Sequence, residues 1–259
     1  MPWTRRQLEA LEAMGIPVWV RREATGEAIR MEDAEAPASS AVQPEPLSAA
    51  VPADDGAVPA VASAVVQDED TVAGLDWAEL ERRVQDCHRC ALAEGRNRVV
   101  FGTGNREADW MFIGEGPGAE EDRQGLPFVG RAGKLLDRMI EACGLSRETV
   151  YIANVVKCRP PGNRDPKPEE VAACAPYLRR QIELVSPKVI VVLGRVAAHA
   201  LLDTDRPLGR LRGAPHLYDD TGIPVIVTYH PAYLLRNPAD KRKAWEDLKL
   251  AMKLAGSGP

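Results

Sequence analysis

The chain lacks any apolar run close to the ~18 consecutive residues that cross a bilayer. Its first residues hold no apolar core of a secretory signal, and Glu9 and Glu12 sit where a transit peptide avoids acids. A cytoplasmic protein with no membrane association is expected. Aromatic residues make up only 5% of the 259 positions, and residues 23–73 have none. That stretch is rich in Ala, Pro, Glu, Asp and Ser, with Pro37, Pro44, Pro46, Pro52 and Pro59 recurring without period. It has too little apolar surface to offset its ordering entropy, so a disordered acidic linker is expected over 23–73. There is no internal repeat. The five cysteines are an odd number in an expected cytoplasmic context, which argues against a disulfide framework.

The net charge of −5 is unevenly spread. Residues 1–22 carry four Arg and two Glu, residues 23–73 one Arg and eleven acids, and residues 74–259 carry 28 Lys and Arg against 25 acids. The acidity therefore belongs to the linker. The body expected to fold, 74–259, is mildly basic, which suits a polyanionic partner without establishing one.

Residues 3–20 pattern as a short helix followed by an extended piece. Thr4 caps, Leu8 and Leu11 share a face, and Gly15 ends the helix. Such a segment either packs on the main domain or folds on a partner. The string TRRQLEALEAMGIPVWVRR resembles the N-terminal peptide of the psi subunit of bacterial clamp-loader complexes, and that resemblance implies a replisome contact through residues 1–22.

From about Leu75 the pattern changes to alternating strands and helices. A helix from about Asp76 leads into Cys87-His-Arg-Cys90. Strands are predicted near 110–113, 150–156, 188–193 and 223–229, and helices near 131–143, 168–185, 195–202 and 240–254. Alternation of this kind predicts an α/β fold, a three-layer α/β/α sandwich with a mostly parallel central sheet.

Four cysteines have metal-ligand spacing: Cys87-x2-Cys90, then Cys158-x15-Cys174. A CxxC pair places two thiolates on one ion or cluster, and the second pair completes four ligands. The ordinary alternative is four unrelated thiols, but Cys158 lies in the polar, Pro-rich loop KCRPPGNRDP, where a core thiol is out of place. Spacing alone favours zinc and does not separate it from an iron–sulfur cluster. Cys143, on an apolar helix face, reads as an inert buried thiol.

The stretch WMFIGEGPGAEEDRQGLPFVG organises the rest. Trp110 to Ile113 form a continuous apolar strand, and GEGPG after it excludes helix and lets a ligand approach bare backbone. GEGPG is neither the G-x-G-x-x-G of a dinucleotide site nor a P-loop. Parallel strands deliver Glu115, Asn154 and His230 to one sheet edge. Singly, these read as a solvated carboxylate, a backbone-satisfying amide and a turn residue; together, beside a cysteine set, they predict a site.

GEGPGAEED with GLPFVGRAGKLLD, NVVKCRPPGNRDP and HPAYLLRNP, in order and with the four cysteines, closely resemble the type-4, iron–sulfur uracil-DNA glycosylases over about residues 75–255. The resemblance implies a [4Fe–4S] cluster on Cys87, Cys90, Cys158 and Cys174 in place of zinc. It implies a monomeric base-excision-repair hydrolase acting on uracil in single- or double-stranded DNA, monofunctional and base-flipping. Asn154, with Gly116, Phe128, Asn163 and His230, binds the base in this reading, and Glu115, Asn154 and His230 carry the chemistry. The Asn154 amide can accept from uracil N3–H and donate to O4, a pattern cytosine does not match. The best-known uracil glycosylases carry Asp and Tyr where this chain has Gly116 and Gly118, so water activation and thymine exclusion rest on other groups. Glu121 is a secondary candidate. Leu234 or Leu235 is expected to fill the gap left by the flipped base, and Lys157, Arg159, Arg164 and Arg236 to contact phosphates. A non-catalytic iron–sulfur DNA-binding module and an enzyme for other deaminated bases are the alternatives.

Overall fold

The computed structural model describes residues 4–16 and 72–256. Expectations for the linker and for residues 17–20 lie outside the described residues, apart from the linker's last two positions, where Val72 is already buried in the domain.

Six strands form one sheet: β1 (Thr103–Gly104), β2 (Trp110–Gly114), β3 (Tyr151–Asn154), β4 (Val189–Leu193), β5 (Pro215–Tyr218) and β6 (Ile223–Thr228), in spatial order β1-β3-β2-β4-β6-β5. The four central strands are parallel, with Gly114 beside Asn154, Ile113 beside Val192 and Leu193 beside Thr228. Every residue of β2, β3 and β4 is buried, as expected for strands covered on both faces. The two edge strands run antiparallel. Sequence patterning misses both: β1 is two residues long, and β5 is largely exposed and begins with a proline, which only an edge tolerates.

Side chains alternate across the sheet and define the layers. Trp110, Phe112, Ile152, Val191 and Ile226 pack against α5 (Arg131–Ala142) through Leu136, Met139 and Ile140, and against α10 (Lys241–Leu254) through Trp245 and Leu248. Met111, Ile113, Ala153, Val192 and Val227 face α6 (Pro168–Val185) through Leu178 and Ile182, and α7 (Arg195–Leu202) through Ala197 and Leu201. The three-layer sandwich is therefore present. The remaining helices are short: α2 (Trp77–Gln85), α3 (Leu92–Gly95), α4 (Ala119–Gln124), α8 (Leu208–Leu211) and α9 (Pro231–Arg236). The acidic run after GEGPG becomes α4, its carboxylates in the first turn where the helix dipole favours them.

The first helix, α1 (Arg5–Ala13), follows its sequence signals closely. Thr4 and Gln7 make a capping box, and Gly15 takes φ 73° at its end. Its apolar face is used within the chain: Ala10, Leu11 and Met14 are buried in the same cluster as α5, and Arg6 pairs with Glu141 at 2.9 Å. A docked helix with Leu11 fully buried predicts that Leu11→Ala destabilises the domain by roughly 2–5 kcal/mol in urea or thermal unfolding. An unchanged midpoint would remove α1 from the core.

Candidate active site

The spatial order of the sheet reverses at β2, whose successor β3 lies on one side and β4 on the other, and ligands bind outside the carboxyl ends of strands at such a point. A cavity of about 440 Å³ opens there, lined by Glu115 to Gly118 after β2, Asn154 at the end of β3, Phe128, and His230 after β6, with Asn163, Asp165 and Arg236 among the residues at its rim. Residues separated by more than a hundred positions thus share one wall.

Asn154 is almost fully buried, and its Oδ1 has no hydrogen-bond partner. A buried polar atom without a partner costs free energy unless a ligand satisfies it. Phe128 stands beside it. A Cβ on Gly114 would come within 2.6 Å of the Asn154 Oδ1 and 2.5 Å of the Phe128 ring, so the amide and the phenyl share the space above a bare Cα. The sequence offered Gly114 as part of GEGPG, for close approach of a ligand to backbone; its partner across the sheet supplies a second reason for glycine there.

His230 caps α9, its Nδ1 accepting from the Ala232 N–H at 3.1 Å. Burial, helped by Arg236 and opposed by Glu121, pushes the imidazole down to about 4, so it is neutral near pH 7. With Nδ1 occupied as an acceptor, the single ring proton resides on Nε2, leaving that nitrogen to donate. The ring lies 5.7 Å from Phe128, centroid to centroid.

Glu115 is part-buried, and desolvation together with the nearby Asp165 carboxylate raises it to about 7, against a smaller opposing pull from Arg195. Asp165, which lines the cavity, pairs with Arg195 at 2.7 Å. Glu121 has a different duty: its Oε1 accepts the N–H groups of Val129 and Gly130 at 3.0 Å each, which commits it to the loop that carries Phe128. Gly116 packs against Val156, where a Cβ would lie 2.7 Å from a methyl group.

Several expected DNA contacts need correction. Lys157 is buried, its Nζ donating to the Asn154 carbonyl at 2.8 Å and to Gln181 Oε1 at 2.6 Å, so it cannot reach a phosphate. HPAYLLRNP is a helix for most of its length, not a loop, because Pro231 at its first position is preorganised for one. On that helix Leu234 points into the core and is fully buried, whereas Leu235 is 38% exposed beside the cavity residue Arg236. Arg164 is held by both oxygens of the buried Glu170, at 2.7 and 2.8 Å. Arg159 donates to Asn163 Oδ1 at 2.7 Å.

The four cysteines of the metal-ligand pattern line a second, small cavity with Arg96, Lys157 and Tyr177. Among the described residues no three His, Cys, Asp or Glu side chains stand close enough for one metal ion. Arg96, which sequence reading passed over, donates to the Cys87 carbonyl at 2.7 Å and reaches the Cys158 sulfur at 3.3 Å, placing a fixed cation against the thiols. Cys143 lies elsewhere in the core, where burial pushes its thiol up to about 12, as an inert cysteine requires.

The family model of the uracil DNA glycosylase superfamily matches residues 101–249. A type-4 uracil-DNA glycosylase of Saccharolobus solfataricus is 45% identical over 183 residues, covering 68% of this chain and 85% of that protein. One from Thermotoga maritima is 47% identical over 175 residues, 66% of this chain and 91% of the relative, and one from Archaeoglobus fulgidus is 44% identical over 184 residues, 69% and 92%. With most of each relative covered, the chain belongs to the uracil-DNA glycosylase superfamily and, within it, to the type-4 group.

Proposed function

We propose that this protein hydrolyses the bond between uracil and deoxyribose in DNA, releasing the free base and leaving an abasic site for repair. The observation that carries this reading is the partnerless Asn154 Oδ1, buried beside an aromatic ring at the wall of a cavity. The Asn154 amide accepts from uracil N3–H and donates to O4, and Phe128 stacks on the base. The base reaches this depth only by leaving the helical stack. As the glycosidic bond breaks, electrons move onto the base, largely to O2. The neutral His230 donates its Nε2–H there, with the Gly116 N–H as a second donor, stabilising charge that exists only in the transition state. Glu115, as a carboxylate, faces the oxocarbenium-like sugar and orients the attacking water. No lysine lines the cavity among the described residues, so no Schiff base forms and strand cleavage is left to other enzymes.

Cys87, Cys90, Cys158 and Cys174 hold a [4Fe–4S] cluster in this reading. A four-iron cube takes one thiolate per iron, and the four thiols line one cavity. When bound, the cluster supplies a covalent tie between the chain entering the domain, the loop after β3 and helix α6. Leu235 fills the gap left by the flipped base, and Arg236 meets phosphates. The protein works as a monomer in the cytoplasm on single- or double-stranded DNA, and residues 1–22 reach the replisome through a clamp-loader component. Because the apolar face of α1 is buried on α5, that partner engages the exposed face of the helix or the residues after it.

Incubation with uracil-containing oligonucleotides followed by alkali tests the whole reading, since an intact strand after wild-type treatment leaves only a DNA-binding module. Asn154→Ala and His230→Ala are each expected to lower the single-turnover rate about 100- to 1,000-fold while retaining the brown colour. Because Glu115 acts ionised and His230 is already neutral above about pH 4, kcat/KM should rise through a single ascending limb near pH 7. Glu115→Gln should flatten that limb, and a limb that survives the substitution assigns the titration elsewhere. Cys158→Ser should abolish the visible absorbance and lower Tm; a variant that stays coloured and equally stable rejects the cluster assignment.

A further inference from the structure

Phe128 has φ 53°, a left-handed conformation that a bulky residue keeps only where its surroundings over-determine it. The surroundings do so from two sides. On one, Glu121 accepts the two N–H groups that follow Phe128. On the other, Arg147, in the turn after α5, donates Nη1 to the Phe128 carbonyl at 2.9 Å and Nη2 to the Pro127 carbonyl. The same Nη1 meets Asp137 Oδ1 of α5 at 2.7 Å, which aims the guanidinium. Helix α5 seats directly on this loop because Gly133 has no Cβ; one placed there would lie 1.8 Å from the Phe128 oxygen. Neither Arg147 nor Asp137 lines the cavity.

We propose that Arg147 is a positioning residue for base recognition: its planar fork holds two successive carbonyls and so sets where the Phe128 ring stands beside the Asn154 amide. This rests on the reading of Phe128 as the surface on which the base stacks. A guanidinium suits the task because its donors are fixed in one plane and span adjacent acceptors, whereas an ammonium is a point donor on a flexible stem. Lysine at this position retains the charge opposite Asp137 but not the two-pronged hold. Reacting groups displaced by an ångström lose rate steeply, so a small tilt of the ring is enough to be measured.

The test is a double-mutant cycle of Arg147→Lys and Phe128→Ala in the cluster-bearing full chain, with single-turnover excision, binding of uracil-containing DNA and Tm measured for each protein. Asp137→Asn, which frees the arginine without removing it, is run in parallel. Arg147→Lys should slow excision about 10-fold with Tm close to wild type, and Asp137→Asn should act in the same direction more weakly. In the Phe128→Ala background both effects should shrink to less than about twofold, because the ring they act through is gone. Rates unaffected by Arg147→Lys and Asp137→Asn, or losses that multiply fully with Phe128→Ala, would overturn the proposal while leaving stacking intact. A Phe128→Ala protein with wild-type rate and binding would sink the stacking reading itself, and the role of Arg147 with it.

Discussion

One crowded spot governs the site: the Asn154 amide and the Phe128 ring meet over the Cα of Gly114. Parallel pairing of β2 with β3 brings Gly114 and Asn154 side by side at the same level of the sheet. Any larger residue at Gly114 would displace one or both partners. The placing of this amide beside this ring therefore depends on strand register, which the β2–β3 pairing sets. The loops only complete what the strand ends begin.

The electrostatics of the cavity follow from what has been desolvated. His230 is kept neutral by burial, with its tautomer chosen by a backbone N–H, so it arrives ready to donate at Nε2. Glu115 is raised toward neutrality by burial and by Asp165, which keeps a carboxylate sensitive to pH in the working range. Two titratable groups in one small space are thus pushed apart in role by their surroundings, and neither depends on proton exchange with the other.

Lys157 joins this site to the cysteine loop. Its buried ammonium donates to the carbonyl of Asn154 and to Gln181, whose own amide donates to the Phe101 carbonyl and the Tyr151 hydroxyl. The next residue is Cys158. Buried hydrogen bonds of this kind fix relative positions, and these tie the backbone presenting Asn154 to the segment that leads into Cys158.

Much of the architecture was legible in the chain. The continuous apolar run at Trp110 to Ile113, the β-branched strands and the helical periodicity around them determined the parallel sheet and its layers, because burial imposes a pattern on every central element. The cysteine spacing and the strand-end residues Glu115, Asn154 and His230 were likewise visible as chemistry out of place in a core. Tertiary structure alone decided which cations face outward and which inward. Lys157 and Leu234 read as surface residues in a polar motif, yet the turn after β3 and the helix begun by Pro231 point them into the interior. It alone also joined Arg147 to Phe128, 19 positions away, and Arg96 to Cys158, 62 away, since hydrogen bonds between distant segments leave no period or motif in a single sequence.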